Sequence, residues 1–146
     1  MRLHLNIGSN SDKRRTRIRE ALAAVSLYFS RCGGRTAYSA PVCSDPWGFD
    51  SPNEFLNIGV MADLPGPSTA ERVLNIFRDI QKIERSISDA PHRNADGSYR
   101  DREIDIDLIT AGIRLDTPEL QLPHPRASER PFVTGPKREL EGAHSQ

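Results

Sequence analysis

Between Glu103 and Leu108 the chain reads EIDIDL, acid and aliphatic residues alternating without a break. Strand side chains alternate with a period of two, so Ile104, Ile106 and Leu108 share one face, and Glu103, Asp105 and Asp107 share the other. The stretch predicts a strand buried on one face, in a sheet whose opposite face carries stacked negative charge. Like charges this close repel, so that face calls for water or a positive partner. A metal ion is one such partner.

Two further segments alternate in the same way. RLHLNI (2–7) sets Leu3, Leu5 and Ile7 against His4 and Asn6. EFLNIGVMAD (54–63) sets Leu56, Ile58, Val60 and Ala62 against Phe55, Asn57 and Gly59. Both read as half-buried strands. Helical spacing separates them: a helix starts near Ser11 or Asp12, buries Ile18, Leu22, Val25 and Phe29, and stops at Cys32-Gly33-Gly34. A short strand at 35–40 follows, then an irregular loop at 41–53 with three prolines and one glycine. After LPGP, a capping box of Ser68 and Glu71 opens a second helix buried through Val73, Phe77, Ile80 and Ile87. A polar loop at 88–100 leads into the acidic strand. A turn at AG, a hairpin arm IRLD and LPHPRASERPF come after it.

The order β-α-β-β-α-β is the split βαβ, ferredoxin-like plan of the α+β class. Right-handed crossovers put the first and third strands in the middle of an antiparallel sheet, with the acidic strand beside the first. Both helices cover the aliphatic face. The other face gathers Phe55, Asn57, Asp105 and Asp107, with His4 and Asn6 nearby, and is the expected site. Residues 1–140 form one domain with a C-terminal extension, and 141–146 are expected to be a disordered tail.

Composition narrows the function. Twenty Lys+Arg balance twenty Asp+Glu, which argues against a general polyanion binder or a membrane-surface protein. Cys32 and Cys43 have no metal-ligand spacing and read as thiols of a reducing compartment. The longest strictly apolar run, Ala21 to Val25, is too short to span a membrane, and MRLHLNIGSN lacks a signal peptide's apolar region. The expectation is a cytoplasmic protein.

Each chemical feature has two readings. Same-face carboxylates two residues apart lie roughly 6.6 Å along a strand and can hold hard cations, Mg²⁺ above all, completed by water and phosphates. They also fit a solvated strand face. In PHPRASER, His124, Arg126 and Arg130 can contact phosphate, or can be ordinary loop residues. Phe55 with Asn57 suits stacking and hydrogen bonding of a flat heterocycle, or a peripheral core Phe under the 41–53 loop. GSN (8–10) is explained by turn chemistry, and KRRTRIR (13–19) by a solvated helix face. An RNA-recognition module shares the element order, but its first strand carries an aromatic and its surface is basic, which this chain lacks.

Five segments in register with these elements resemble the 6-hydroxymethyl-7,8-dihydropterin pyrophosphokinase (HPPK) family. They are IGSN at the first turn, PWGF…EFLN, QKIE on the second helix, DREIDIDL, and PHPRASERPFV. The resemblance implies transfer of pyrophosphate from ATP to the pterin hydroxymethyl group, releasing AMP, in folate biosynthesis. It assigns two Mg²⁺ ions to Asp105 and Asp107. It places the pterin between Phe55 and Phe132 with Asn57 at its edge, and ATP among Gln81, Glu84, Arg102, His124 and Arg130. Small-molecule substrates are then the partners, rather than nucleic acid or membrane. The chain departs from the family at SISDAPHRN, where a longer basic loop is usual and Arg93 and Arg100 are the available substitutes. It departs again at Pro125, and in ending soon after PFVTGPKREL. These departures keep a catalytically weakened pterin- or nucleotide-binding homologue as the alternative. The 88–100 loop is expected to act as a lid.

Overall fold

In a computed structural model the described residues are 1–44, 54–88, 103–125 and 131–144. Residues 89–100 of the expected 88–100 lid lie outside them, as do Arg102, Arg126 and Arg130. Strand β1 (Arg2–Ser9) leads into helix α1 (Arg14–Arg31), then β2 (Arg35–Tyr38), β3 (Val42–Ser44) and β4 (Phe55–Asp63). Helix α2 (Ala70–Ile87), β5 (Asp105–Thr110), β6 (Leu115–Asp116), β7 (Gln121–Leu122) and α3 (Pro131–His144) complete the chain. The principal sheet runs β2-β4-β1-β5, with β3 also on β4, and every pairing is antiparallel. The ferredoxin-like order is as expected: β1 and β4 are central, and acidic β5 lies beside β1.

Leu3, Leu5, Ile7, Val60, Ala62, Ile106 and Leu108 turn one face of the sheet into the core, where α1 contributes Ile18, Ala21, Val25 and Phe29. Helix α2 adds Val73, Ile76 and Ile80. Helix α1 ends where Cys32 N–H reaches the carbonyls of Tyr28 and Phe29, and Gly33 takes φ +80°. Only glycine adopts that conformation without strain.

Four local expectations need correction. The cap of α2 is Thr69, whose side chain accepts from Arg72 N–H at 3.3 Å; the expected box of Ser68 and Glu71 is displaced by one residue. Glu71 still favours the helix dipole from the first turn. Residues 42–44, expected to be loop, form β3, because β4 begins early enough to pair Val42 with Asn57 and Ser44 with Phe55. Glu103 does not extend the acidic face of β5: it precedes the strand, and Arg17 of α1 takes its carboxylate at 2.8 Å. Finally, residues beyond Leu140 are not frayed as far as His144, since α3 runs through them.

Helix α3 also corrects the picture of helices on one face only. It packs on the second face, at the end formed by His4, Gly59, Met61 and Ile109. A Cβ on Gly59 would lie 2.7 Å from Pro136 Cβ, so the glycine is the seat of the helix. Ala40 N–H donates to Glu139 at 3.1 Å on the same helix. Leu108 faces the main core while Ile109, on the opposite face, is buried against α3, and a bulge shifts the register between the Leu5–Leu108 and His4–Thr110 pairs. The rest of this face is left to Asn6, Asn57, Asp105 and Asp107.

Candidate active site

The antiparallel registers put the expected site residues in two rows across three strands. Asn57 pairs with Gly8, and Gly8 with Asp105; one step along, Gly59 pairs with Asn6, and Asn6 with Asp107. Neighbouring strands lie about 4.8 Å apart, so the Cα atoms of Asn57 and Asp105 are roughly 10 Å apart. Gly8 between them presents no side chain. An amide bank on β4 and a carboxylate bank on β5 therefore flank a glycine floor.

On β5, Asp105 and Asp107 are half-buried. Ile106, between them, faces the core, and its backbone N–H donates to Glu84 of α2 at 2.8 Å. Glu84 thus reaches the strand that carries the carboxylates. Gln81 stands one turn before it on α2, also half-buried. Glu103 is held below the usual carboxylate range by the Arg17 hydrogen bond.

His124 is brought to the same strand by the β6–β7 hairpin. In the turn, Thr117 N–H donates to the Leu120 carbonyl at 3.0 Å, and Leu120 N–H returns to Thr117 Oγ1 at 2.9 Å. Beyond β7, His124 N–H donates to the Ile109 carbonyl at 2.8 Å. Its Nδ1 lies 2.7 Å from the Pro125 carbonyl, which can only accept. Nδ1 therefore carries the proton. His124 and Asp107 border one cleft of about 270 Å³, with Phe77, Leu108 and Leu120 as apolar walls and Gln121 at its rim. Phe77, expected in the core, is half-buried: it packs against the core and also walls this cleft.

On β4, Phe55 and Asn57 share a face as expected, but both are buried, at 9 % and 2 % exposure. Pairing of β3 with this end of β4 contributes to the cover. Asn57 Nδ2 donates to the Val42 carbonyl at 3.4 Å, and its Oδ1 accepts from Asn6 Nδ2 at 3.3 Å. Phe132 lies in the first turn of α3, one helical turn before Pro136.

The donor chemistry suits a hard cation. Among the described residues no group of three or more His, Cys, Asp or Glu comes together that could hold a metal alone. Two half-exposed carboxylates fit an ion that takes its remaining oxygens from water and phosphate, as Mg²⁺ does. The sequence pattern does not single out the Glu84–Ile106 tie, the Gly59 seat or the Asn6–Asn57 amide pair. Glycines at 8 and 59 inside otherwise regular strands are the signal that could have pointed to close approaches there.

The family described as 7,8-dihydro-6-hydroxymethylpterin-pyrophosphokinase (HPPK) matches residues 4–142. Proteins from two strains of Porphyromonas gingivalis, ATCC 33277 and W83, are each 35% identical over 136 residues, covering 92% of this chain and 86% of theirs. A Bacillus subtilis (strain 168) protein is 28% identical over 138 residues, covering 94% of this chain and 76% of its own. All three carry the name 2-amino-4-hydroxy-6-hydroxymethyldihydropteridine pyrophosphokinase. No helix among the described residues is long and apolar enough to cross a membrane.

Proposed function

From the premise that the chain belongs to the HPPK family, we propose that it transfers pyrophosphate from ATP to 6-hydroxymethyl-7,8-dihydropterin, giving AMP and the pterin diphosphate. The observation that carries this reading is the row Asn57–Gly8–Asp105. It sets an amide and a carboxylate on either side of a floor with no side chain, a geometry that supports the meeting of a flat heterocycle and a metal-bound nucleotide.

The ring edge belongs to Asn57, with Phe55 and Phe132 as the stacking pair. The nucleotide belongs to the cleft between α2 and the β6–β7 hairpin. Phe77, Leu108 and Leu120 provide apolar contact for a flat base, and His124 stands beside Asp107 where phosphates would lie. Gln81, Glu84, Arg102 and Arg130 complete the nucleotide's surroundings. Asp105 and Asp107 would hold two Mg²⁺ ions, which when bound supply neutralisation and polarisation of the phosphates.

The hydroxymethyl oxygen attacks the β-phosphorus. The bond from that phosphorus to the α,β-bridging oxygen breaks, AMP departs, and the hydroxyl proton passes to solvent. The protein's part is to hold nucleophile and leaving group in line and to place positive charge where negative charge grows. Arg102, Arg130 and His124 serve the second task. No described side chain takes the part of a dedicated general base.

The test is AMP release from ATP, Mg²⁺ and 6-hydroxymethyl-7,8-dihydropterin, with the pterin diphosphate identified by mass. Formation of both products in equal amounts is expected. Binding of pterin or nucleotide without AMP release would make the chain a weakened homologue.

A further inference from the structure

The direction of the Asn57 amide is set by its neighbours. Val42 offers a carbonyl, which only accepts, so Asn57 must turn Nδ2 toward it at 3.4 Å. Oδ1 then faces β1, where Asn6 Nδ2 donates to it at 3.3 Å. Gly8 permits this orientation, since a Cβ there would fall 2.8 Å from Asn57 Oδ1. The cost lies with Asn6, which is buried and whose Oδ1 has no hydrogen-bond partner among the described residues. A buried acceptor left unmatched is unfavourable, and an apolar residue at position 6 would avoid it. Asn6 is thus poorly explained as a residue selected for stability alone.

We propose that Asn6 is a positioning residue of the ring site: by donating to Asn57 Oδ1 it fixes the orientation in which that amide meets the heterocycle. A primary amide has two hydrogens on nitrogen and two lone pairs on oxygen, so fixing one of each sets the direction of the others. Without Asn6, Asn57 Oδ1 loses this donor, and the 3.4 Å contact to the Val42 carbonyl holds the amide less firmly at the ring edge. This rests on the reading that Asn57 holds the pterin edge.

The experiment is calorimetric titration of the wild type, Asn6→Leu, Asn6→Ala, Asn57→Ala and the Asn6→Ala/Asn57→Ala double variant. Each is titrated with a non-hydrolysable ATP analogue and Mg²⁺, and then with 6-hydroxymethyl-7,8-dihydropterin. Either Asn6 variant should weaken pterin binding by about tenfold, the equivalent of one hydrogen bond's net worth, and leave nucleotide affinity within about twofold. Asn6→Leu keeps the branched shape; should it fail to fold, Asn6→Ala carries the same reading. The double variant should bind pterin no more weakly than Asn57→Ala, because a positioning residue has nothing left to position. Wild-type pterin affinity in both Asn6 variants would overturn the proposal while leaving the Asn57 assignment standing. Equal losses for pterin and nucleotide, or additive losses in the double variant, would also overturn it. A wild-type protein that binds nucleotide but no pterin would overturn this and the ring-site reading together.

Discussion

The Glu84 carboxylate on α2 accepts the backbone N–H of Ile106, the residue between Asp105 and Asp107, at 2.8 Å. Strand β5 is the edge of the sheet beside β1. An edge strand has backbone groups that no neighbouring strand satisfies, and it can shift or fray. Glu84 supplies a partner at the point where two carboxylates must keep a fixed spacing.

Glu84→Ala should therefore loosen β5 locally. Exchange of the Ile106 amide with solvent, followed by NMR, is expected to quicken by about tenfold or more, since one charged acceptor is lost. The Mg²⁺ concentration needed for half-maximal turnover should rise with it. Glu84→Gln retains an acceptor oxygen and should restore amide protection. Unchanged exchange at Ile106 in the alanine variant would show that the tie does not hold the strand.

Much of this was legible in the sequence, because a period of two fixes which residues share a face. Leu3, Leu5 and Ile7 went to the core, while Asp105 and Asp107 remained together on the other side. Long-range pairing was not legible. Nothing local to EIDIDL shows that Arg17, 86 positions away, would take Glu103, or that Glu84 would reach Ile106. The prolines of 41–53 obscured β3, because its three residues are too few to show alternation against turn signals. Helix α3 was missed because PFVTGPKREL combines a glycine and a proline, which disfavour a helix in isolation. Docking on Gly59 and burial of Leu140 override that propensity.

Asp107→Asn should remove metal-dependent turnover with the fold intact. Loss of one carboxylate removes several kcal/mol of charge complementarity, or roughly a hundredfold or more in rate. In the absence of metal, the thermal midpoint should hold or rise, because the repulsion from Asp105 is relieved. Steady-state assays across Mg²⁺ concentrations and a melting curve in EDTA check both parts. Activity near wild type would end the assignment of metal to this face.

His4 predicts a pH dependence of stability. It is buried against α3, and burial first, then nearby Lys137, lowers its pKa to about 4. Arg2 acts in the same direction, while Glu141 and Asp63 oppose it. The unfolded chain takes up the proton near pH 6.5, before the folded protein does. The His4 contribution is therefore fully present above pH 6.5 and is lost as pH falls toward 4. The carboxylates held low by partners, Glu103 and Glu141, add losses only below about pH 4.5. Urea unfolding between pH 7 and 5 should show decreasing stability in the wild type and a flatter profile in His4→Leu. Identical slopes in the two proteins would show that His4 is not the titrating group.

The seat of α3 gives the last prediction. Pro136 has a rigid ring and stands inside the helix, so it cannot move aside as a long side chain would. A Cβ at Gly59 would meet it at 2.7 Å, and its backbone carbonyl carbon at 3.4 Å. Position 59 also has its N–H bound to Ser39 Oγ at 2.9 Å and its carbonyl bound to Ser39 N–H at 2.9 Å, so β4 is held as well. With both sides fixed, Gly59→Val must either strain the packing or lift the helix. Overpacking of this kind costs about 1–3 kcal/mol. If the helix lifts, its backbone loosens around Lys137 and Arg138, and trypsin should cut after them several times faster than in the wild type. The main core lies on the other face of the sheet and should keep its strand signal in far-ultraviolet circular dichroism. Pterin affinity should fall with the same variant, because Phe132 precedes Pro136 by one turn on the helix that is displaced. Wild-type cleavage rates together with wild-type pterin affinity would show that α3 tolerates a side chain in its seat.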